Sequence, residues 1–283
     1  MKKYNSDIVL GTVTLNVNNL DNQLNFYTHT MGMHIISYNG TSATLGTIDN
    51  KPLLILNKVH TKFIRSYGLY HISYLVPSEQ DLANILNHFV STKVLLEGGA
   101  DHGYSNAIYL SDPEGNGIEV YYDKDEKFWD KREDGRIIDI TEALDAEHLL
   151  NISQPISPYQ LPIGTSVGHI HLSVKNSKES SNFFQHILGF KDKFTVPNAS
   201  WIAYGDYHHH LAVNNWAGPN LNLRKKGTPG LEKFDIHFID GNTYNLVIQR
   251  IKIHNINILK ETDDNITISD QNGIIINLIN GIK

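Results

Sequence analysis

Imidazoles are placed along this chain where they could bind a cation or move a proton. The stretch "VGHIHLSV" (167–174) sets His169 and His171 two apart in an apolar run, and alternation along a strand would point both rings the same way. "GLYHISYLV" carries His71 and "GIEVYY" carries Glu119. A carboxylate in so apolar a strand is costly if buried, unless it gains a partner. "YHHHLAV" (207–213) holds three consecutive histidines; read as a strand, it sends His208 and His210 to one face and His209 to the other. Neutral imidazole with carboxylate suits a divalent metal, and imidazole titrates near neutral pH, which suits acid–base work. A single strand histidine serves equally well as a hydrogen-bonded core residue, so the information lies in how the set combines.

The elements that must position these groups come from an internal repeat. Residues 10–32, "LGTVTLNVNNLDNQLNFYTHTMG", align without a gap on 167–189, "VGHIHLSVKNSKESSNFFQHILG", so Gly11 meets Gly168 and Gly32 meets Gly189. Thr12 and Thr14 stand where the second copy has His169 and His171. Residues 106–120, "NAIYLSDPEGNGIEV", align likewise on 264–278, "DNITISDQNGIIINL". Each unit reads as an apolar alternating strand, an amphipathic helix and then further short strands. Four such units are expected at 7–60, 66–123, 164–216 and 230–283. Between the second and third, 124–163 reads as a linker: charged and solvated in "DKDEKFWDKREDGR", briefly helical in "TEALDAEHLL", and proline-bearing in "SQPISPYQLP". The "DPEGNG" stretch resembles half a calcium loop, but its twelfth position is Asp123 rather than glutamate, and a hairpin turn is the reading adopted.

Composition narrows the class. The chain has 283 residues, 40% hydrophobic and 19% charged, a net charge of −6, 15 histidines and no cysteine. This fits a globular protein with a substantial core, and it leaves no thiolate ligand, thiol nucleophile or disulfide. With no long basic run, neither nucleic acid nor an anionic membrane is expected as a partner. Asparagine and threonine interrupt the start, "MKKYNSDIVLGTVTLNV", so no signal peptide is read there. No run approaches about 18 uninterrupted apolar residues, and a cytoplasmic location is expected. Phosphate-loop, dinucleotide and serine-hydrolase motifs are missing.

Four βαβββ units, with strands opening on G-x-hydrophobic and a "DPEGNGIEV" closing strand, resemble the vicinal oxygen chelate superfamily of glyoxalases, bleomycin- and fosfomycin-resistance proteins and extradiol ring-cleaving dioxygenases. "GLYHISYLVPS", "YLSDPEGNGIEVYYD", "VGHIHLSV" and "YHHHLAVNNWAG" most resemble its Bacillus-type catechol 2,3-dioxygenase branch. The resemblance implies an α+β fold of four modules forming two cupped mixed β-sheets with helices outside. It also implies a metal held by the opening strands of two paired units and the closing strand of one. Units three and four would offer His169, Asp235 and Asn277; units one and two would offer Thr12, His71 and Glu119. Only units two and three supply two imidazoles and a carboxylate, His71, His169 and Glu119, the facial-triad composition of non-haem Fe(II) oxygenases. The expectation is therefore that these two units pair as the active cup and that units one and four form an inactive one.

The resemblance further implies Fe(II), with Mn(II) the alternative, and a small aromatic diol and O₂ as the molecules acted on. His209 would be the acid–base group and Tyr109, ten residues before Glu119, a catalytic hydrogen-bond donor. His102, His171, His210 and Trp216 would bind substrate, with Trp201 as packing or pocket wall. A homodimer is what the family implies about assembly. A glyoxalase-like isomerase or thiol transferase, and a metal-free aromatic-binding resistance protein, are the competing activities on the same scaffold.

Overall fold

Four times along the chain a strand is followed by a helix and three more strands. The computed structural model describes residues 6–282; the basic start at residues 1–5 and Lys283, the last residue of the fourth unit, lie outside the described residues. The first unit runs Ile8–Val17, helix Leu20–Asn25, His34–Tyr38, Ser42–Gly46 and Pro52–Lys58. The second runs Gly68–Leu75, helix Glu79–Ser91, Gly98–Asp101, Ser105–Ser111 and Gly117–Asp123. The third runs Ser166–Ser173, helix Ser177–Phe183, Lys191–Val196, Ala199–Ala203 and Leu211–Asn214. The fourth runs Gly230–Phe238, helix Gly241–Ile253, Asn257–Thr262, Asn265–Ser269 and Ile275–Asn280. Each helix starts on an oxygen that accepts an orphan amide hydrogen: Asn19, Ser78, Asn176 and Asp240 cap the four in turn. The first and third helices both continue into a π-turn, Phe26–Thr30 and Phe184–Leu188, so the repeat extends to this irregularity.

The strands form two mixed sheets, an eight-stranded one from units one and four and a nine-stranded one from units two and three with one short edge strand added by the linker. At the centre of each, two opening strands run antiparallel, and each closing strand runs parallel beside its own opening strand. Register then decides which face each side chain takes. Ile72 lies opposite Ile170 and beside Ile118, and all three are buried in the apolar core. One residue along, His71 lies opposite His171, and Ser73 lies opposite His169 and beside Glu119. Since the side-chain period is two, the isoleucines and the polar set occupy opposite faces. Burying each isoleucine contributes about 1.5–3 kcal/mol, so a one-residue slip that turned the polar face inward would be heavily disfavoured.

The glycine shared by the first and third opening strands has a steric reason. Gly168 sits at a register shift, where a Cβ would lie 1.9 Å from the Tyr121 hydroxyl. Gly11 sits at the corresponding shift, 2.6 Å from His237 Nε2. The "SDPEGNG" stretch is a tight hairpin in which Asp112 accepts the amides of Glu114 and Asn116 at 2.9 Å each. Its Glu114 carboxylate reaches the first unit and accepts the amides of Asn18 and Asn19 at 2.8 and 2.7 Å. Asn272, in the equivalent hairpin of the fourth unit, accepts the Lys175 amide of the third at 3.0 Å. These contacts tie each unit to a neighbour in the other sheet.

The linker is more structured than its composition suggests. Glu142–Ala143 adds an edge strand beside Gly98–Asp101, and Ala146–Ile152 forms a helix against the second unit, where Gln80 donates to the Ile152 carbonyl at 2.8 Å. In the charged stretch expected to be solvated, Trp129 is instead buried, packed with Ile137 just beyond it and with Tyr104, Ala203 and Tyr207 in a separate apolar cluster. Among the described residues, no helix is long and apolar enough to cross a membrane.

Candidate metal centre

His71, Glu119 and His169 rise from three adjacent strands of the nine-stranded sheet and converge on its polar face. Their ligand atoms all lie within 4.8 Å of one another, and all three residues are buried. His169 Nε2 is 2.9 Å and His71 Nε2 3.0 Å from the same oxygen, Glu119 Oε2. Ser73 donates its hydroxyl to that oxygen at 3.1 Å. Burial alone would raise the Glu119 carboxyl, but the charge of His169 and then of His71 reverses this and holds it well below the usual carboxylate range. His71 Nε2 is a buried nitrogen whose close polar neighbour is this one carboxylate oxygen, and it makes no well-formed hydrogen bond. Two imidazole nitrogens and a carboxylate oxygen sharing one focus, with one nitrogen unsatisfied, fit a single divalent cation.

Two sets of side chains flank this focus. On one side Tyr109, directly opposite Glu119 across the hairpin, meets His102 Nε2 through its hydroxyl at 2.6 Å. His102 Nδ1 contacts the Ile140 carbonyl at 2.9 Å and Asp139 Oδ1 at 3.0 Å. Burial would lower the His102 pKa, but Asp139 outweighs it and lifts the imidazole to about 9. Burial and the charges of Glu119 and Asp139 push the Tyr109 hydroxyl far up, so it stays protonated. On the other side the His209 ring packs on that of His169, with centroids 4.1 Å apart. Burial, followed by the neighbouring imidazoles, depresses the His209 pKa well below 6.5. One wall therefore carries a raised titrating group and the other a lowered one.

The centre lies at the bottom of a cavity of about 830 Å³. His102, Tyr109, His171, His209 and Trp216 all line it. His171 accepts from the Asn214 amide at 3.0 Å, and its pKa is pushed well down by burial. Tyr70 and Trp216, each about half exposed, stand edge to face at the mouth, 5.2 Å apart. Trp201 and Phe194 form apolar wall between them and the interior.

Two expectations need correction. The three histidines are not on a strand: residues 204–210 form a turn, and the strand begins at Leu211. His210 does not line the cavity. It is buried behind it, where Nδ1 accepts the Tyr204 amide at 3.3 Å and burial lowers its pKa to about 3. All three rings are buried, and Tyr104, Tyr121 and Trp129 surround that of His208. Residues that strand parity could not find are Asp139, carried in from the linker, and Tyr70, the neighbour of His71. Asp139 sits in "RIIDITEA" and nothing local marks it; Tyr70 is adjacent to His71 in one strand, so alternation alone points it away from the site.

The eight-stranded sheet is built alike but its equivalent focus differs. Asp235 Oδ1 there accepts from the Asn277 amide at 3.0 Å and from the Lys233 ammonium at 3.3 Å. The carboxylate already has a cation from the protein itself. Among the described residues, only His71, Glu119 and His169 form a group of three or more metal-ligating side chains.

Paired βαβββ units cupped around a His–His–Glu focus define the class. Residues 9–120 match the Glyoxalase/Bleomycin resistance protein/Dioxygenase superfamily, and the chain belongs to it. Along 276 residues it is 31% identical to a catechol-2,3-dioxygenase of Bacillus subtilis strain 168, spanning 95% of this chain and 96% of that one. The fold resembles that of a candidate dioxygenase from Bacillus subtilis subsp. subtilis strain 168, with a TM-score of 0.66, 13% identity, and coverage of 100% of this chain and 87% of that one. It also resembles glyoxalase I from Zea mays, with a TM-score of 0.58, 15% identity, and coverage of 96% and 92%.

Proposed function

We propose that this protein is an Fe(II)-dependent extradiol dioxygenase that opens the ring of a catechol or hydroquinone-like diol. The observation that carries the reading is the donor set: two imidazoles and one carboxylate, all buried, at the floor of an aromatic-walled cavity. Three protein ligands on one face suit an iron that must also take up substrate oxygens and O₂, whereas zinc more often closes a tetrahedral site with one open position. Likeness to a catechol-2,3-dioxygenase over nearly the whole chain supports the same class. Mn(II) is the alternative ion for this donor set.

When bound, the metal would draw the diol oxygens and O₂ together and carry charge between them. The remaining work belongs to the chain. His209, neutral because its pKa is depressed, takes the proton of a substrate hydroxyl and can return it later. Tyr109, held protonated, donates its hydroxyl towards negative charge developing beside Glu119. The His102 imidazolium keeps that end of the site positive, and Asp139 fixes its ring. His171, Trp216, Trp201 and Phe194 bound the ring and keep water from it.

The test is O₂ consumption by iron-loaded protein across a panel of catechols and hydroquinones, with ring-opened product followed by absorbance. Turnover of at least one diol with stoichiometric O₂ uptake is expected. Thiol-dependent isomerisation without O₂ uptake, or binding without turnover, would contradict it. His209→Ala should retain iron and lose about 10²–10⁴ in kcat, while Glu119→Ala and His71→Ala should lose iron and activity together.

A further inference from the structure

We infer that Asp123 and His208 are positioning residues that fix the tautomer of His209, leaving its Nε2 as a proton acceptor at the cavity. The inference deepens the proposed function and rests on it for the identity of the substrate proton. Its basis is a buried chain of three side chains. Asp123 Oδ1 lies 2.8 Å from His208 Nε2, and His208 Nδ1 lies 2.8 Å from His209 Nδ1. All three residues are at most 4% exposed, so bulk water does not compete for these bonds.

Hydrogen-bond chemistry sets the direction of the chain. A carboxylate only accepts, so His208 Nε2 carries the hydrogen that faces Asp123. In the neutral His208 ring Nδ1 is then the acceptor, and it takes a hydrogen from His209 Nδ1. That leaves His209 Nε2 with its lone pair free on the ring that lines the cavity. The His208 ring cannot turn over to reverse the order, because Tyr104 stacks on it with centroids 4.2 Å apart and planes within 13°. Trp129 from the linker and Tyr207 close its other sides at 5.2 and 4.1 Å. Asp123 is held in turn by the Tyr207 hydroxyl at 3.2 Å. When the substrate hydroxyl gives its proton to His209 Nε2, that ring becomes an imidazolium and keeps its Nδ1–H on His208. The proton comes to rest on His209, and the His208 ring keeps its two hydrogen bonds, to Asp123 and to His209. The doubled histidine thus has a division of labour: one ring reacts and the other dictates which nitrogen is bare. The linker also gains a role, since Trp129 packs the ring that sets the base.

Two near-isosteric variants isolate the acceptor. His208→Leu removes it, and His208→Asn restores a carbonyl oxygen close to where Nδ1 lies. For His208→Leu we expect kcat to fall about 100-fold with KM and iron content within twofold of the parent, and for His208→Asn at least a tenfold recovery. A merely structural role predicts equal loss for both. A His208→Leu protein that folds and turns over within threefold of the parent, or an Asn variant no better than Leu, would overturn the assignment. A readout independent of turnover is the ¹⁵N spectrum of histidine-labelled, metal-free protein. His209 should show hydrogen on Nδ1 and a bare Nε2; hydrogen on Nε2 would overturn the inference whatever the activity. If the parent opens no diol while the spectrum shows the bare Nε2, the proposed function has failed and the tautomer assignment stands.

Discussion

At the residue scale, the site separates two histidines whose environments push them in opposite directions. His102 is raised to about 9 by Asp139 against its burial, and His209 is depressed by burial among other imidazoles; such divergence is how acid and base roles are told apart. The His102 shift has a stability consequence whose sign is fixed. A histidine whose folded pKa lies above its unfolded value of 6.5 contributes stability that is complete below 6.5 and is lost as pH rises through about 9. Thermal stability of the wild type should therefore decline from pH 7 to 10 more steeply than that of Asp139→Asn, in which the partner charge is gone. Parallel slopes would contradict the role given to Asp139. The resemblance named the opening and closing strands as ligand positions and so made His71, His169 and Glu119 legible in the sequence, while alternation set His171 on the face of His169. The substrate-binding role that the resemblance implied for His210 does not hold, because residues 204–210 form a turn and His210 is not among the residues that line the cavity. Asp139 was invisible because its partner is 37 residues away and the packing that brings them together is tertiary.

At the scale of elements, the opening strands carry the largest constraint. Gly168 precedes His169 and leaves room for Tyr121, whose hydroxyl a Cβ would meet at 1.9 Å. Gly168→Ala should destabilise the fold by about 1–3 kcal/mol and displace His169, weakening metal binding beyond what the stability loss explains. Urea unfolding and metal titration of the same sample check both halves. Glu114 offers the contrasting case. Its carboxylate accepts the amides of the two residues that lead into the first helix, from another unit, so Glu114→Ala should cost about 1 kcal/mol and leave metal binding unchanged. The gapless repeat and hydrophobic periodicity made the four strand–helix–strand units readable. The edge strand Glu142–Ala143 and the buried Trp129 were not, since two residues carry no periodicity and a tryptophan flanked by charges looks solvated.

At the scale of the molecule, a doubled pair of units has produced two sheets with opposite fates. In one, Lys233 and Asn277 satisfy Asp235 from within the chain. In the other, Glu119 draws two imidazoles together and His71 Nε2 lacks a hydrogen bond. A cation should therefore stabilise the nine-stranded sheet by mass action, about 2.7 kcal/mol at a hundredfold excess over Kd. Fe(II) or Mn(II) should raise the melting temperature by several degrees, and a chelator should reverse the rise. Lys233→Met should unsettle the other sheet without changing metal stoichiometry, which metal analysis of the purified variant would check.

The most direct measurement of the central claim is anaerobic titration of metal-stripped protein with Fe(II), comparing the wild type with Glu119→Gln, His71→Ala and His169→Ala. The wild type should bind about one equivalent, and each variant should bind less than about a tenth of that under the same conditions. Stoichiometric binding that survives loss of any of the three side chains, or no binding by the wild type, would contradict the account.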